Sequence, residues 1–279
     1  MLAALFQNPG KQPMKKATKF LAAASLLLAA CGGSGGNPAL SKSFSYGAAA
    51  APSSTETAAA TSAQSNLSQT AGFSSQPDAY KGAAIIGFAD ALASAALGSA
   101  AIPGRGPSGG DLTGALRTAA DFTACSTVTA SSVSFNNCQL TESGFTITLN
   151  GHVSVSAGTV TWAITGGFSG LSSGYTINIV NHQAGTLSLT ASKISGNATS
   201  DFSGSVSGQG QNVNFGLATA VVLDLTYQSS PNYCVTGGTA EVKRVWTNRP
   251  NGASGPQFND AAVKFTWSGC NAVQVAHGT

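Results

Sequence analysis

The sequence predicts a mainly β protein: an antiparallel curved sheet, or a barrel or sandwich, of roughly ten strands with one Ala-rich helix packed against it. Three observations lead there. From about Asp121 onward apolar residues recur with a period of two, Gly-rich breaks interrupt them at short intervals, and one earlier stretch has helical spacing instead.

The helical stretch runs from Ala79 to Ile102, where Ile85, Ala89, Leu92 and Ala96 fall four, three and four residues apart. Gly82, Gly87 and Gly98 weaken it, and Pro103-Gly104 followed by Gly106-Pro107 ends it. It is expected to cover part of a β core rather than to span a membrane. The alternating runs then follow in order: Phe145, Ile147 and Leu149; Val153 and Val155; Val160, Trp162 and Ile164; Tyr175, Ile177 and Ile179; Leu187 and Leu189. Val221, Leu223, Leu225 and Tyr227 form the cleanest set, followed by Ala240 to Trp246 and Val263 to Trp267. Their partners in the alternation are Thr, Ser and Asn, the pattern of an antiparallel sheet with one apolar and one polar face. Asn150-Gly151 reads as a hairpin turn.

The N-terminal region is different. Lys15, Lys16 and Lys19 after Met14 make a basic start, and Phe20 to Ala30 is an apolar run too short to cross a bilayer. It ends in Leu28-Ala29-Ala30-Cys31. The combination resembles the signal peptide and lipobox of bacterial lipoproteins, a resemblance confined to residues 14–31. It implies cleavage before Cys31, a diacylglycerol and further acyl chain (palmitate among them) on that cysteine, and, with Gly32 next, sorting to the outer membrane. The resemblance implies that residues 1–30 are a signal peptide, with Met14 the expected start. Residues 31–77, almost all Gly, Ala, Ser, Thr, Asn, Gln and Pro, are expected to be a flexible tether. Residues 78–118 carry the helix and a Gly/Pro loop, and residues 119–279 the β domain.

Setting Cys31 aside leaves Cys125, Cys138, Cys234 and Cys270, which in an exported protein read as two disulfides with three conceivable connectivities. The local contexts favour one. Cys125 and Cys138 flank Val133-Ser134-Phe135, and Cys234 and Cys270 bracket Val263-Lys264-Phe265, so each unit is a cysteine, a connection, a V-x-F strand and a second cysteine. The inferred pairs are Cys125–Cys138 and Cys234–Cys270. A zinc site would need closer ligand pairs and nearby histidines, and no metal or other cofactor is expected.

Charge excludes one class of partner. Only 8% of residues are charged, and four of the 13 basic residues precede Cys31 while all 10 acidic ones follow it, so the processed chain has a formal net charge of −1. Nucleic-acid binding has no electrostatic footing.

Signals for catalysis are weak. G-x-S-x-G occurs at Gly32–Gly36, Gly106–Gly110 and Gly170–Gly174, never between a strand and a helix as a nucleophile elbow requires; Ser172 is expected in a hairpin turn. His152, His182 and His277 are too scattered for a ligand set, each reading as a strand-end side chain, and the acidic residues, with Asp224 the most notable, are equally dispersed. No catalytic residue is expected. The segment from Lys243 to Phe258 concentrates basic and aromatic groups around a Gly/Pro loop, and Trp246, Arg249 and Phe258 are its candidate contact residues. The reading that follows is a non-catalytic envelope lipoprotein held to the membrane through Cys31, with an envelope protein, glycan or lipid as partner. A carrier of hydrophobic ligands, lined by Phe145, Trp162, Tyr175, Leu223 and Trp267, is the alternative, and an envelope hydrolase the second alternative.

Overall fold

Ten strands form one antiparallel sheet in the order in which the chain makes them, each paired with the next. In the computed structural model, which describes residues 36–72, 86–89, 91–93, 125–142, 144–172, 174–228 and 233–279, they are β1 (Ser126–Val128), β2 (Ser132–Glu142), β3 (Phe145–Ser156), β4 (Thr159–Ser172), β5 (Tyr175–Leu189), β6 (Lys193–Gly208), β7 (Gln211–Gln228), β8 (Cys234–Asn248), β9 (Ala261–Gly269) and β10 (Ala272–Gly278). The helices α1 (Pro38–Ser41) and α2 (Ser54–Gly72) precede them, and residues 86–89 and 91–93 are also helical. β1 and β10 do not meet, so the meander is open and neither a barrel nor a sandwich.

Tight turns make such a meander. Ala157-Gly158 and Gln209-Gly210 link β3 to β4 and β6 to β7 with positive φ at both residues (47° and 76°, 50° and 74°), the two-residue geometry whose twist matches that of the strands. Ser172 is the last residue of β4, beside the turn into β5. Asn150-Gly151, by contrast, is not a turn but the middle of β3, paired with Thr165 and Ile164 of β4. Gly151 has φ 118°, and a Cβ there would run into the backbone of Ala163 and Ile164. Opposite it, β2 is bulged between Phe135 and Cys138, with Asn137 at φ 48°. Glycine in this strand therefore marks a bulge-associated bend.

The register places the alternating apolar residues of all the strands on one face, the front. Val133, Val153, Val160, Trp162, Leu187, Ile194, Leu223, Leu225, Phe265 and Trp267 belong to one buried cluster there. The helices that close it are Ala-rich. From α2 come Ala60, Ala63 and Leu67; from residues 86–89 and 91–93, which are helical, come Ile86, Phe88, Ala89 and Leu92. The described part of the expected Ala-rich helix is thus packed on the core, and Ile85 and Ala96 lie outside the described residues. Gly87 lets this stretch approach α2: the Asn66 amide donates to the Gly87 carbonyl at 2.8 Å, and a Cβ on Gly87 would meet that amide.

The expectation for residues 31–77 is where the structure departs most from the sequence reading. Residues 36–72 are not a flexible tether. Asn37 caps α1, accepting from the Ala39 and Leu40 amides, and Ala39 is seated on Ala218 and Ala220 on the back of the sheet. The chain next runs along the outer edge of β10, where Ser45, Gly47 and Ala50 exchange backbone hydrogen bonds with Thr279, His277 and Val275. An exposed edge is a template for unwanted pairing, and this strap covers it. It then passes to the front and becomes α2.

The start of α2 is a capping box. Ser53 Oγ accepts from the Glu56 amide at 3.3 Å while Glu56 Oε2 accepts from the Ser53 amide at 2.7 Å. Replacing Ser53 by Ala is expected to lower stability by about 1 kcal/mol, measured as an earlier urea midpoint with an unchanged slope.

Candidate functional site

β8 and the loop after it hold the contact residues expected from sequence. Arg244 and Trp246 alternate with Val245 and so point to the front face, opposite Thr219 and Leu217 of β7. The loop from Arg249 to Asp260 folds back onto them. A single 3-10 turn, Pro256–Phe258, brings the Phe258 ring to 5.4 Å from the Trp246 ring, tilted by 45°. Trp246 Nε1–H donates to the Gln257 carbonyl at 3.2 Å, and an Arg244 guanidinium N–H donates to the Asn259 carbonyl at 3.0 Å. Trp246, Arg249 and Phe258 therefore do come together. Phe258 is buried and staples the loop, Trp246 is half-buried, and the Arg249 side chain is 52% exposed.

Asp260 ties the cluster together, which its isolated position in the sequence does not suggest. It accepts from the Trp246 amide at 2.8 Å and from Lys42 Nζ of the strap at 2.6 Å, and lies 3.7 Å from the Arg249 guanidinium. Burial pushes its carboxyl up, but the Lys42 ammonium, the Trp246 amide and the Arg249 charge outweigh that and hold it below its ordinary value. A carboxylate depressed in the folded state adds stability above its unfolded pKa and loses it as the pH falls through the folded one. The Asp260→Asn variant should therefore show a flatter loss of stability below about pH 4, seen by comparing denaturation midpoints of the two proteins across pH 2–6. The comparison with the parent protein matters, because burial raises Asp201 in the opposite direction.

Alongside, the strap is pinned to the back of β8. Lys243 Nζ donates to the Lys42 carbonyl at 2.9 Å and sits 3.2 Å from Glu241, whose other oxygen accepts from the Tyr46 hydroxyl. Burial, then the hydrogen bond to Glu241 and its charge, push the Tyr46 phenol well above its ordinary range.

On the front face the loop borders a second apolar cluster. Ile177, Phe202, Val206, Phe215 and Leu217 are buried in it, with Phe145, Phe168, Tyr175, Ile179 and Trp246 packed around them. The Phe145–Phe168 and Phe202–Phe215 pairs are stacked at 5.0 and 5.4 Å. Between this cluster and the helix-covered core runs a band of buried polar side chains: Asn181 and Gln183 on β5, Thr219 on β7 and Arg244 on β8. Of the five residues expected to line a ligand cavity, all face the front. Trp162, Leu223 and Trp267 are packed in the helix-covered core, however, and Phe145 and Tyr175 belong with the second cluster.

The cysteines pair as Cys125–Cys138 and Cys234–Cys270, with Cα atoms 5.3 and 5.5 Å apart. The first pair braces the β1–β2 edge and the second ties the start of β8 to the β9–β10 turn. Cys31 lies outside the described residues. The histidines stay dispersed. His152 is within β3, and His277 on β10 is 3.3 Å from Glu56. His182 is not at a strand end but in the middle of β5, between Thr165 and Asp201. Asp224, on the back of β7, pairs with Lys193 at 2.7 Å. Among the described residues no three His, Cys, Asp or Glu side chains gather as a metal site, and no helix is long and apolar enough to cross a membrane.

The fold and the junction define a class: an open ten-stranded antiparallel meander, braced by disulfides at both edges and wrapped by its own N-terminal strap. Comparisons with protein-family models, curated proteins and solved structures gave no match for this chain.

Proposed function

We propose that the chain is an exported, lipid-anchored protein of the bacterial outer membrane that serves a non-catalytic binding or scaffolding role in the envelope. The observation that carries the export reading is the pairing of all four cysteines after Cys31, since disulfides persist in oxidising compartments and are rare in the cytosol. The lipobox-like run Leu28–Cys31 supplies the anchor, and acylation with more than one chain makes it stable.

The scaffolding reading draws support from how the front face is used. The larger apolar cluster is filled by α2 and residues 86–89 and 91–93 of the same chain, which leaves the junction of Trp246, Arg249 and the Gly/Pro loop as the accessible contact surface. Aromatic and Arg side chains at the centre of such a surface are the usual anchors for a partner. A second reading, a carrier of an amphiphilic ligand, draws on the separate aromatic cluster of the front face, bordered by Arg244.

The test is the mass of the protein extracted from membranes under native and denaturing conditions. A chain beginning at Cys31 with acyl groups, taking up four hydrogens on reduction of two disulfides, supports the anchor and the compartment. An unmodified chain with another start overturns the lipoprotein reading. Lipid retained in the native spectrum and lost on denaturation favours the carrier over the scaffold.

A further inference from the structure

We propose that the bilayer itself is the partner of the back face of the sheet, with the domain lying on the membrane rather than swinging on a long leash. The proposal rests on the lipid-anchor reading above and on where the described chain begins. Gly36 is five residues beyond Cys31, and Asn37 is already fixed: its side chain caps α1 and donates to the Ser200 carbonyl of β6 at 3.4 Å. A chain extends at most about 3.6 Å per residue, so the Cα of Cys31 lies within roughly 18 Å of Gly36. Gly36 is exposed and has open space around it.

That length limits which face can meet lipid. α1 lies over β7 and β8, two to three strand spacings from the β10 edge, about 10–14 Å, and the helix-bearing front is about another 10 Å beyond. The link from an acylated Cys31 is too short to go round that edge and turn the front toward the membrane.

The chemistry of the part of the back face nearest the β4–β5 and β6–β7 turns agrees with this placement, while the charged Asp201, Lys193, Asp224, Glu241 and Lys243 lie outside that part. Leu40 of α1, Val180 of β5 and Leu171 of β4 are three of the four exposed large apolar residues among those described, at 38%, 38% and 64% exposure. The register puts Val180 and Leu171 on the back face, and Val180 pairs with Ser203, three residues from Ser200 and so about 10 Å along β6. From Ser203 to the β4–β5 and β6–β7 turns, the back-facing side chains of β3 to β7 are uncharged, hydroxyls and amides such as Thr148, Asn178 and Ser205. Moderate apolar exposure among neutral hydrogen-bonding groups suits the headgroup region, where fixed charges would have to be desolvated.

The experiment uses the full acylated chain in vesicles of phosphatidylethanolamine and phosphatidylglycerol carrying a headgroup energy acceptor. A genetically encoded fluorescent residue replaces either Asn178, exposed on the back face, or Thr61, exposed on α2. Transfer from position 178 is expected to exceed that from position 61 by roughly threefold, and an insert of about 20 Gly/Ser residues between Gly35 and Gly36 should bring the two together. Equal transfer from both positions in the acylated protein without the insert overturns the membrane placement and leaves the anchor standing. A protein that carries no acyl group and stays in solution overturns both.

Discussion

Phe265→Ala should lower the unfolding free energy by about 3–5 kcal/mol, the range for removing a fully buried aromatic ring. Phe265 has no exposed surface, stands on the front of β9 between Ala240 of β8 and Val275 of β10, and stacks against Trp267 at 5.7 Å. The neighbours across the strands are small or β-branched, so none can swing in to fill the space, and the cavity would persist. Domains are stable by only about 5–15 kcal/mol in all, so the variant should be partly unfolded at modest temperature. Urea denaturation with an unchanged slope would measure it. A loss below about 1.5 kcal/mol would mean that the front core relaxes around β9 and is not the continuous packing described. Phe258→Ala, on the loop, is the useful contrast: it should loosen the junction with Trp246 while leaving the core intact.

How much of this was legible in the sequence depended on how strongly each strand alternates. β7 is plain, because Val221, Leu223, Leu225 and Tyr227 alternate with Asp224 and Thr226, which face the other way. β5 looked like two separate runs, because its middle places Asn181, Gln183 and Gly185 on the buried face between Ile179 and Leu187. β6 left almost no signal: its front-facing positions are Ile194, Gly196, Ala198, Ser200, Phe202, Gly204 and Val206, and the small residues among them hide the period. Gly185 is small because the Trp162 ring lies over it, so the same packing that makes the strand necessary erases its pattern.

The strap and α2 resemble a tether in sequence for a related reason. Few large apolar residues suggest little burial, yet Ala39, Ala60 and Ala63 are buried in close contacts, and an alanine stripe barely separates from Ser and Thr on composition. The signal that was present is local. Ser53 with Glu56 three residues on is a capping box, and Asn37-Pro38 is a helix start with Pro in the first turn. The contact residues fared better: Trp246, Arg249 and Phe258 do assemble, but the residue that assembles them, Asp260, acts through Lys42, 218 positions away. No local pattern encodes a partner at that distance.

Replacing Cys234 and Cys270 together by Ala is the second large effect expected. The bond closes a loop with a sequence separation of 36, against 13 for Cys125–Cys138. Constraining the unfolded chain over loops of these sizes is worth about 4 and about 3 kcal/mol, so the Cys234/Cys270 variant should be the less stable of the two double replacements. The enclosed segment also decides where the loss is felt. It contains β8, the loop from Arg249 to Asp260 and β9, and hence Lys243, Glu241 and Asp260, the groups that pin the strap. Hydrogen exchange should accordingly rise first at the amides of Trp246, Gly47 and Ala50, while β3 to β6 keep their protection. Uniform exchange across the sheet would show instead that the strap and junction open only with global unfolding, and that the disulfide acts on the whole meander rather than on this corner of it.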